Sequence, residues 1–88
     1  MIREIYIPGP LKKKLKNKKG LSKQIREKFY WCLDTLMKNP RHPSLRHKPI
    51  KGTIDHWEFS ITMNYRCVYR RMGDSAFILT IAKHEDTF

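Results

Sequence analysis

An 88-residue chain with 40% hydrophobic residues is long enough for one modest core and too apolar to stay disordered. No segment approaches the ~18 consecutive apolar residues of a membrane span, and the N-terminus lacks the layout of a secretory signal, so we expect a cytoplasmic protein that does not associate with membranes. A formal net charge of +11 favours a polyanionic partner such as RNA, DNA or an acidic protein.

The positive charge is concentrated in the first part of the chain. Residues 1–52 contain 15 Lys and Arg against 3 Asp and Glu, a net charge of +12, whereas residues 53–88 contain 4 against 5, a net charge of −1. Surface lysines can simply keep a small protein in solution, but a charge of this size favours binding of a polyanion. The candidate RNA-binding lysines of this region are Lys12, Lys13, Lys16, Lys19 and Lys23.

The first elements are predicted as a strand and a short helix. Residues 2–7 are rich in β-branched and aromatic side chains and predict a strand that ends at the Pro-Gly-Pro sequence of residues 8–10. Leu11 and Leu15 have the spacing of one helical face, which predicts a helix that ends at Gly20. We find no repeats and no linker, so residues 1–88 are expected to form a single domain.

The clearest helix is predicted over residues 21–38. Ser22 can cap its N-terminus, and Asn39 should end it because a residue before proline avoids the helical region. One face carries apolar side chains at intervals of three and four, namely Ile25, Phe29, Cys32, Leu33 and Leu36.

The second half of the chain is predicted to form strands. Apolar and polar residues alternate over residues 57–63, which predicts a strand with Trp57, Phe59, Ile61 and Met63 on its buried face. A bend near Asn64, a strand over residues 65–70, a tight turn at residues 73–74 and a last strand over residues 76–83 follow. Two helices followed by several strands indicate an α+β fold, with two N-terminal helices packed on a mainly antiparallel sheet of about four to five strands.

The two cysteines are predicted to be reduced thiols in the core. Cys32 and Cys67 each lie in an apolar segment, with no CxxC pattern or Cys/His ligand spacing nearby. A disulfide or a metal pair is the less favoured alternative, because cytoplasmic thiols stay reduced. We expect neither a metal site nor a small-molecule cofactor.

Four segments resemble those of a known family. Residues 42–52, with His42-Pro43-Ser44-Leu45-Arg46, are similar to the connection that follows the helices in many RelE/ParE toxins. Residues 57–61 and 65–69 resemble two strands of that family, and residues 81–88 resemble the closing motif of its YafQ-like branch. Since these segments occur in the family's order, the chain resembles the RelE/ParE superfamily, closest to the YafQ-like and RelE-like mRNA interferases.

The resemblance implies a RelE-like fold and a toxin of a type II toxin–antitoxin system. The implied activity is an endoribonuclease that cleaves mRNA, with the help of the ribosome and its rRNA, and the implied protein partner is a cognate antitoxin. Cleavage of this type needs no metal ion, because the substrate's 2′-hydroxyl attacks the adjacent phosphate. The protein then has to take one proton, give another and stabilise the charge on the phosphate.

Four residues are candidates for the catalytic site. The resemblance assigns acid/base chemistry to His84, phosphate binding to Arg66 and base stacking to Phe88, with His47 as a weaker second acid/base candidate. Other roles stay open: His84 as an exposed histidine, Arg66 as a surface arginine paired with Glu58 or Asp74, and Phe88 as a hydrophobic plug. Lys48, Lys51 and Arg70 are further candidates for RNA binding, or are merely solvated.

Two other functions are compatible with the same sequence. A ParE-like toxin would inhibit gyrase through protein contacts and would have no nuclease activity. A basic RNA-binding module without catalysis is the third possibility, because Ser60, Thr62 and Asn64 on the central strands offer no base near neutral pH.

Overall fold

A computed structural model describes residues 1–17 and 21–83 of the chain. Helices and strands are largely separated along the chain: one short strand comes first, two helices follow, and the other strands come last. In chain order they are β1 (Glu4–Tyr6), α1 (Gly9–Lys16), α2 (Lys23–Lys38), a 3₁₀ helix (Pro43–Leu45), β2 (Lys48–Pro49), β3 (His56–Ser60), β4 (Tyr65–Met72) and β5 (Ser75–Lys83).

The strands form one mixed sheet in the order β1-β5-β4-β3-β2. β1 pairs with β5 in parallel, and the other three pairings are antiparallel. The predicted α+β fold with a mainly antiparallel sheet is therefore confirmed. β2 was not predicted, because two residues that include a proline carry no alternating pattern.

Helix α2 begins and ends where the sequence indicates. The Ser22 hydroxyl accepts a hydrogen bond from the backbone N–H of Ile25 at 3.2 Å, as an N-cap does. At the other end, the backbone N–H of Asn39 donates to the carbonyl of Thr35. The predicted apolar face is largely buried, at Phe29, Cys32, Leu33 and Leu36.

Both helices contribute to one core against a single face of the sheet. The ring of Phe29 in α2 stacks on that of Phe59 in β3 with their centroids 6.5 Å apart, and Phe59 in turn contacts Tyr69 in β4. Helix α1 adds Leu11 and Leu15 to the same cluster. We call this side of the sheet the helix face.

The predicted strand over residues 57–63 is too long. β3 ends at Ser60, and although Ile61 is still buried, the side chain of Met63 is 86% exposed. The hydroxyl of Thr62 accepts hydrogen bonds from the backbone N–H groups of Asn64 and Tyr65. These bonds hold the chain in the bend that was predicted near Asn64, but the bend begins at Ile61, earlier than the alternating pattern indicated.

Cys32 and Cys67 are free thiols buried in the core, as predicted. Burial raises the pKa of Cys32 to about 11 and that of Cys67 well above its ordinary value. Both side chains therefore act as small apolar groups that fill the core.

The opposite side of the sheet carries no helix within the described residues, and we call it the open face. Strand alternation directs Glu58 of β3, Arg66 and Arg70 of β4, and Phe77 of β5 to this side. The described part of the chain contains no helix that could cross a membrane.

Candidate active site

Strand register brings three charged residues together on the open face. Lys48 of β2 lies directly opposite Glu58 of β3, and Arg66 of β4 is opposite Ser60, two residues along from Glu58. Long side chains at such diagonal positions can touch across a sheet. Glu58 is therefore placed between a lysine on one side and an arginine on the other.

The three side chains form a charged cluster. The Nη1 of Arg66 donates to Oε1 of Glu58 at 2.9 Å, and the Nζ of Lys48 lies 3.5 Å from the same oxygen. The side chain of Glu58 is only 3% exposed and that of Arg66 is 17% exposed. The second carboxylate oxygen of Glu58, Oε2, is buried and has no hydrogen-bond partner among the described residues.

Lys48 and Arg66 are two cations that share the single carboxylate of Glu58, so the cluster as a whole keeps a net positive charge. Burying a carboxylate is costly unless charged or hydrogen-bonding partners compensate, and here one of the two oxygens is compensated. A phosphate group could replace the carboxylate as the partner of Arg66, because a guanidinium binds either anion with the same two-pronged geometry.

A cleft of about 290 Å³ opens over the cluster. Its volume is near the lower end of the range for ligand pockets, roughly 300–1,000 Å³. The lining residues are Lys48, Pro49, Ile50, Lys51, Glu58 and Arg66. The structure thus brings together Arg66, Lys48 and Lys51, three residues that the sequence analysis singled out separately.

Three of the candidate residues, Lys19, His84 and Phe88, lie outside the described residues. The strand that leads to His84 is described as far as Lys83, and Ala82 is the register partner of Arg66. His84 therefore follows in sequence two residues after a residue that pairs with Arg66.

His47 is placed on the helix face and not at the cleft. Its Nε2 is 2.5 Å from the hydroxyl of Tyr69, and its ring lies 4.8 Å from the ring of Trp57. Burial lowers the pKa of His47, and the charge of Arg71 lowers it further. His47 and Tyr69 share a hydrogen bond away from the cleft, so the surroundings of His47 are those of a packing residue beside β2.

Arg70 lies on the open face but is already paired. Its Nε donates to Oδ2 of Asp55 at 2.7 Å, and this hydrogen bond holds the pKa of the Asp55 carboxyl below its usual value. Arg70 is four residues along β4 from Arg66, a distance of roughly 13 Å for an extended strand. The structure does not bring it into the cleft.

The basic side chains of the helices form a separate surface. The described members of the predicted set, Lys12, Lys13, Lys16 and Lys23, are all exposed. They project from the helices that cover the helix face, whereas the cleft is on the open face. One binding event could use both surfaces only if the partner is large enough to contact both sides of the molecule.

Glu58 was named in the sequence analysis only as a possible partner of Arg66, a pairing that is confirmed, and it was given no functional role. Its position among alternating residues indicated a solvated side chain, yet β2 and Arg66 cover it almost completely. The possible pairing of Glu58 with Arg66 was a signal in the sequence. The burial of Glu58 also depends on β2, however, and the sequence did not predict that strand. Among the described residues, no group of three His, Cys, Asp or Glu side chains is arranged to hold a metal ion.

Solved structures of bacterial toxins share this fold. The chain matches the structure of the Escherichia coli DinJ–YafQ toxin–antitoxin complex with a TM-score of 0.74 and 15% identity, over 100% of this chain and 99% of that one. It matches the YoeB/ParE toxin from Agrobacterium tumefaciens with a TM-score of 0.72 and 17% identity, over 93% and 99%. It matches a mutant of E. coli RelE in the free state with a TM-score of 0.70 and 21% identity, over 99% of this chain and 88% of that one.

No protein-family model matches the chain. A search of curated proteins likewise found no match. At identities of 15 to 21%, the structural likeness shows the fold alone. The chain has the fold of the RelE, YafQ and YoeB toxins, as the sequence resemblance implied.

Proposed function

We propose that the protein is the toxin of a type II toxin–antitoxin system and an endoribonuclease that cleaves mRNA. The observation that carries this proposal is the cleft in which Arg66 and Lys48 share the buried carboxylate of Glu58. The toxin folds of the structural neighbours support the same choice.

The proposed reaction needs no metal ion. The 2′-hydroxyl of the substrate attacks the adjacent phosphorus, and the bond from phosphorus to the 5′-oxygen of the next nucleotide breaks. The products are a 2′,3′-cyclic phosphate and a new 5′-hydroxyl end. One proton must leave the attacking hydroxyl, and another must reach the departing oxygen.

Arg66 and Lys48 are the proposed phosphate-binding residues. When the scissile phosphate enters the cleft, it replaces Glu58 as their partner, and both cations then stabilise the charge that accumulates on the phosphate oxygens. The carboxylate of Glu58, released from Arg66, accepts the proton of the 2′-hydroxyl. Glu58 thus supplies the base that Ser60, Thr62 and Asn64 could not.

His84 is the proposed acid that gives a proton to the departing 5′-oxygen. An imidazole titrates near neutral pH and can act without a large shift of its pKa. Its place in the sequence, two residues after the register partner of Arg66, supports this assignment. Phe88 is proposed to stack on a nucleobase, and Lys51 to bind a neighbouring phosphate.

The proposed partners are the ribosome and an antitoxin. Lysines on the outer side of the helices would bind rRNA phosphates while mRNA occupies the cleft, which explains two basic surfaces on opposite sides of one small protein. An acidic antitoxin segment would be attracted to residues 1–52, whose net charge is +12 from 15 basic and 3 acidic residues. The DinJ–YafQ and YoeB–YefM structures are complexes of such toxins.

Primer extension on purified ribosomes carrying an mRNA tests the proposal. Wild-type protein should produce discrete cuts, and His84→Ala should reduce the cleavage rate by about a hundredfold, as expected for a lost general acid. Arg66→Ala should be at least as impaired, and Arg66→Lys, which keeps the charge that Glu58 needs, should still lose most of the activity.

The same experiment distinguishes the two alternatives. Intact transcripts together with inhibition of gyrase would identify a ParE-like toxin. Intact transcripts with salt-dependent RNA binding and no effect on gyrase would identify a catalytically inactive RNA-binding module. Cleavage that His84→Ala leaves unchanged would remove His84 from the mechanism.

A further inference from the structure

A second basic cleft lies at the turn between β3 and β4. It has a volume of about 240 Å³ and is separate from the cleft that holds Arg66. Its lining includes two cations and three hydroxyl groups, in the set Lys28, Ser44, Arg46, Ser60, Thr62 and Met63. No carboxylate is among its lining residues.

The first cation, Lys28, is held in position by an aromatic side chain. Its Nζ lies 3.8 Å from the centre of the Trp31 ring, one turn further along α2. The Trp31 ring packs edge-on against His42 with centroids 5.3 Å apart, and a ring nitrogen of His42 is 2.8 Å from the hydroxyl of Ser44. A cation–π contact leaves the ammonium's remaining hydrogens available to an anion.

The second cation, Arg46, is held by an unusual backbone conformation. Within residues 1–17 and 21–83 it is the only non-glycine residue with a positive φ, at φ 47° and ψ 42°. Its backbone N–H donates to the carbonyl of Pro43 and closes the 3₁₀ helix. Left-handed backbone is uncommon for a side chain of this size, and such positions concentrate at functional sites.

The charge of this cleft is uncompensated, unlike that of the cluster around Glu58. No carboxylate of the described residues forms an ion pair with Arg46 or Lys28. Two cations from different elements, with hydroxyl groups between them, match the oxygens of a phosphate better than any neutral ligand.

The two clefts adjoin each other. Ser60 lines the second cleft and is the direct register partner of Arg66, which lines the first. Arg46 and Lys48 are likewise only two residues apart, one at each cleft. A single RNA strand that places one phosphate beside Arg66 would therefore pass the second cleft with a neighbouring phosphate.

We infer that Lys28 and Arg46 form a second phosphate subsite, which binds a backbone phosphate next to the scissile one. This inference rests on the proposed function, because the subsite is defined by its place next to the scissile phosphate at Arg66. The subsite holds the strand in register, and it recognises single-stranded RNA by its backbone and not by its bases.

Binding of a short fluorescent RNA, measured by anisotropy over a range of salt concentrations, tests the inference. The RNA carries 2′-O-methyl sugars, which leave no 2′-hydroxyl to attack the phosphate, so that it cannot be cleaved. The Lys28→Ala/Arg46→Ala variant should bind about tenfold more weakly, and its plot of log K against log salt should be shallower by about 0.7 for one lost phosphate contact. The Arg3→Ala/Lys38→Ala variant loses two exposed charges elsewhere and controls for net charge.

Replacing single phosphates by neutral methylphosphonates locates the contact. At one linkage the replacement should weaken binding by the wild type and have no further effect on the Lys28→Ala/Arg46→Ala variant, as in a double-mutant cycle. Circular dichroism should confirm that both double variants are folded. A Lys28→Gln/Arg46→Gln variant repeats the test with longer side chains.

The outcomes separate this inference from the proposed function. If the wild type cleaves mRNA but the Lys28/Arg46 variants bind like the control variant, the subsite is refuted and the nuclease proposal stands. If the wild type never cleaves and the methylphosphonate effect still depends on Lys28 and Arg46, the subsite stands and the nuclease proposal fails. Absence of RNA binding by the wild type would refute the subsite as well.

Discussion

The two faces of the sheet use the same strands for different purposes. On the helix face, Phe59, Cys67 and Tyr69 pack against the helices with almost no exposed surface. On the open face, the residues between them include Glu58 and Arg66, a charged pair that is nearly as well buried. Alternate residues of β3 and β4 therefore belong to a stabilising core and to the candidate active site.

The difference shows why the open face is the functional one. Apolar burial stabilises a protein by about 25 cal/mol per Å², whereas a buried ion pair contributes little or even costs stability compared with apolar residues of similar size. A charged cluster with one unpartnered oxygen does not serve folding. Its position under a basic cleft is explained if the cluster binds an anion.

The largest effect on stability is expected from a cavity in the core on the helix face. Phe59→Ala should lower the free energy of unfolding by about 3–5 kcal/mol, because it leaves a cavity between Phe29 and Tyr69. Urea denaturation followed by circular dichroism measures this loss. A change below about 1 kcal/mol would show that Phe59 is not part of a well-packed core.

The next effect concerns the charged pair on the open face. Arg66→Ala should cost about 3 kcal/mol of stability, because it leaves Glu58 buried with only Lys48 as a partner. The double variant Arg66→Met/Glu58→Leu should recover most of that loss, since it removes both charges. If the double variant is as unstable as Arg66→Ala, the pair stabilises the fold and our contrast between the two faces is wrong.

A third change separates activity from stability. Glu58→Gln keeps the shape of the side chain but removes the proposed base, so cleavage of mRNA on ribosomes should fall by about a hundredfold. The urea midpoint should move far less than for Phe59→Ala. Full activity in this variant would exclude Glu58 as the group that accepts the proton.

The smallest effect concerns His47 and the pH dependence of stability. Because burial lowers its pKa in the folded protein, the unfolded chain binds a proton more readily below about pH 6.5. The contribution of neutral His47 to the free energy of unfolding is therefore fully present above that pH. It is lost as the pH drops toward the lower pKa of the folded state, by at most about 1.4 kcal/mol per pH unit. Thermal melts of the wild type from pH 7 to 5 should show this loss.

His47→Phe is the matched variant for that measurement. It keeps an aromatic ring beside Trp57 and Tyr69 but cannot bind a proton, so its stability should change less over the same pH range. Equal pH dependence in both proteins would place the titrating group elsewhere.

The sequence predicted the parts of the fold that depend on local patterns. The cap at Ser22 and the buried face of α2 follow from residue types and spacing along one helix. The early end of β3 at Ser60 and the whole of strand β2 were missed, because the first depends on a side-chain hydrogen bond and the second on pairing with β3. Local patterns carry no direct information on either contact.

The candidate site was predicted only in part for the same reason. Family resemblance selected Arg66, and the cleft now places Lys48 and Lys51 beside it, while the roles of all three stay predictions. Glu58 was given no functional role, since alternation indicates which face a residue occupies but not what covers that face. The family resemblance made His47 a candidate base, yet its side chain lies on the helix face against Tyr69 and Trp57, away from the cleft.

Nuclear magnetic resonance of the arginine side chains, during titration with a non-cleavable RNA, tests the central claim most directly. If the cluster on the open face receives an RNA phosphate, the guanidinium resonances of Arg66 should shift together with the carboxylate carbon of Glu58, and the signals of Phe59 and Tyr69 should stay nearly unchanged. RNA binding that shifts the helix lysines and leaves Arg66 and Glu58 unaffected would contradict the account.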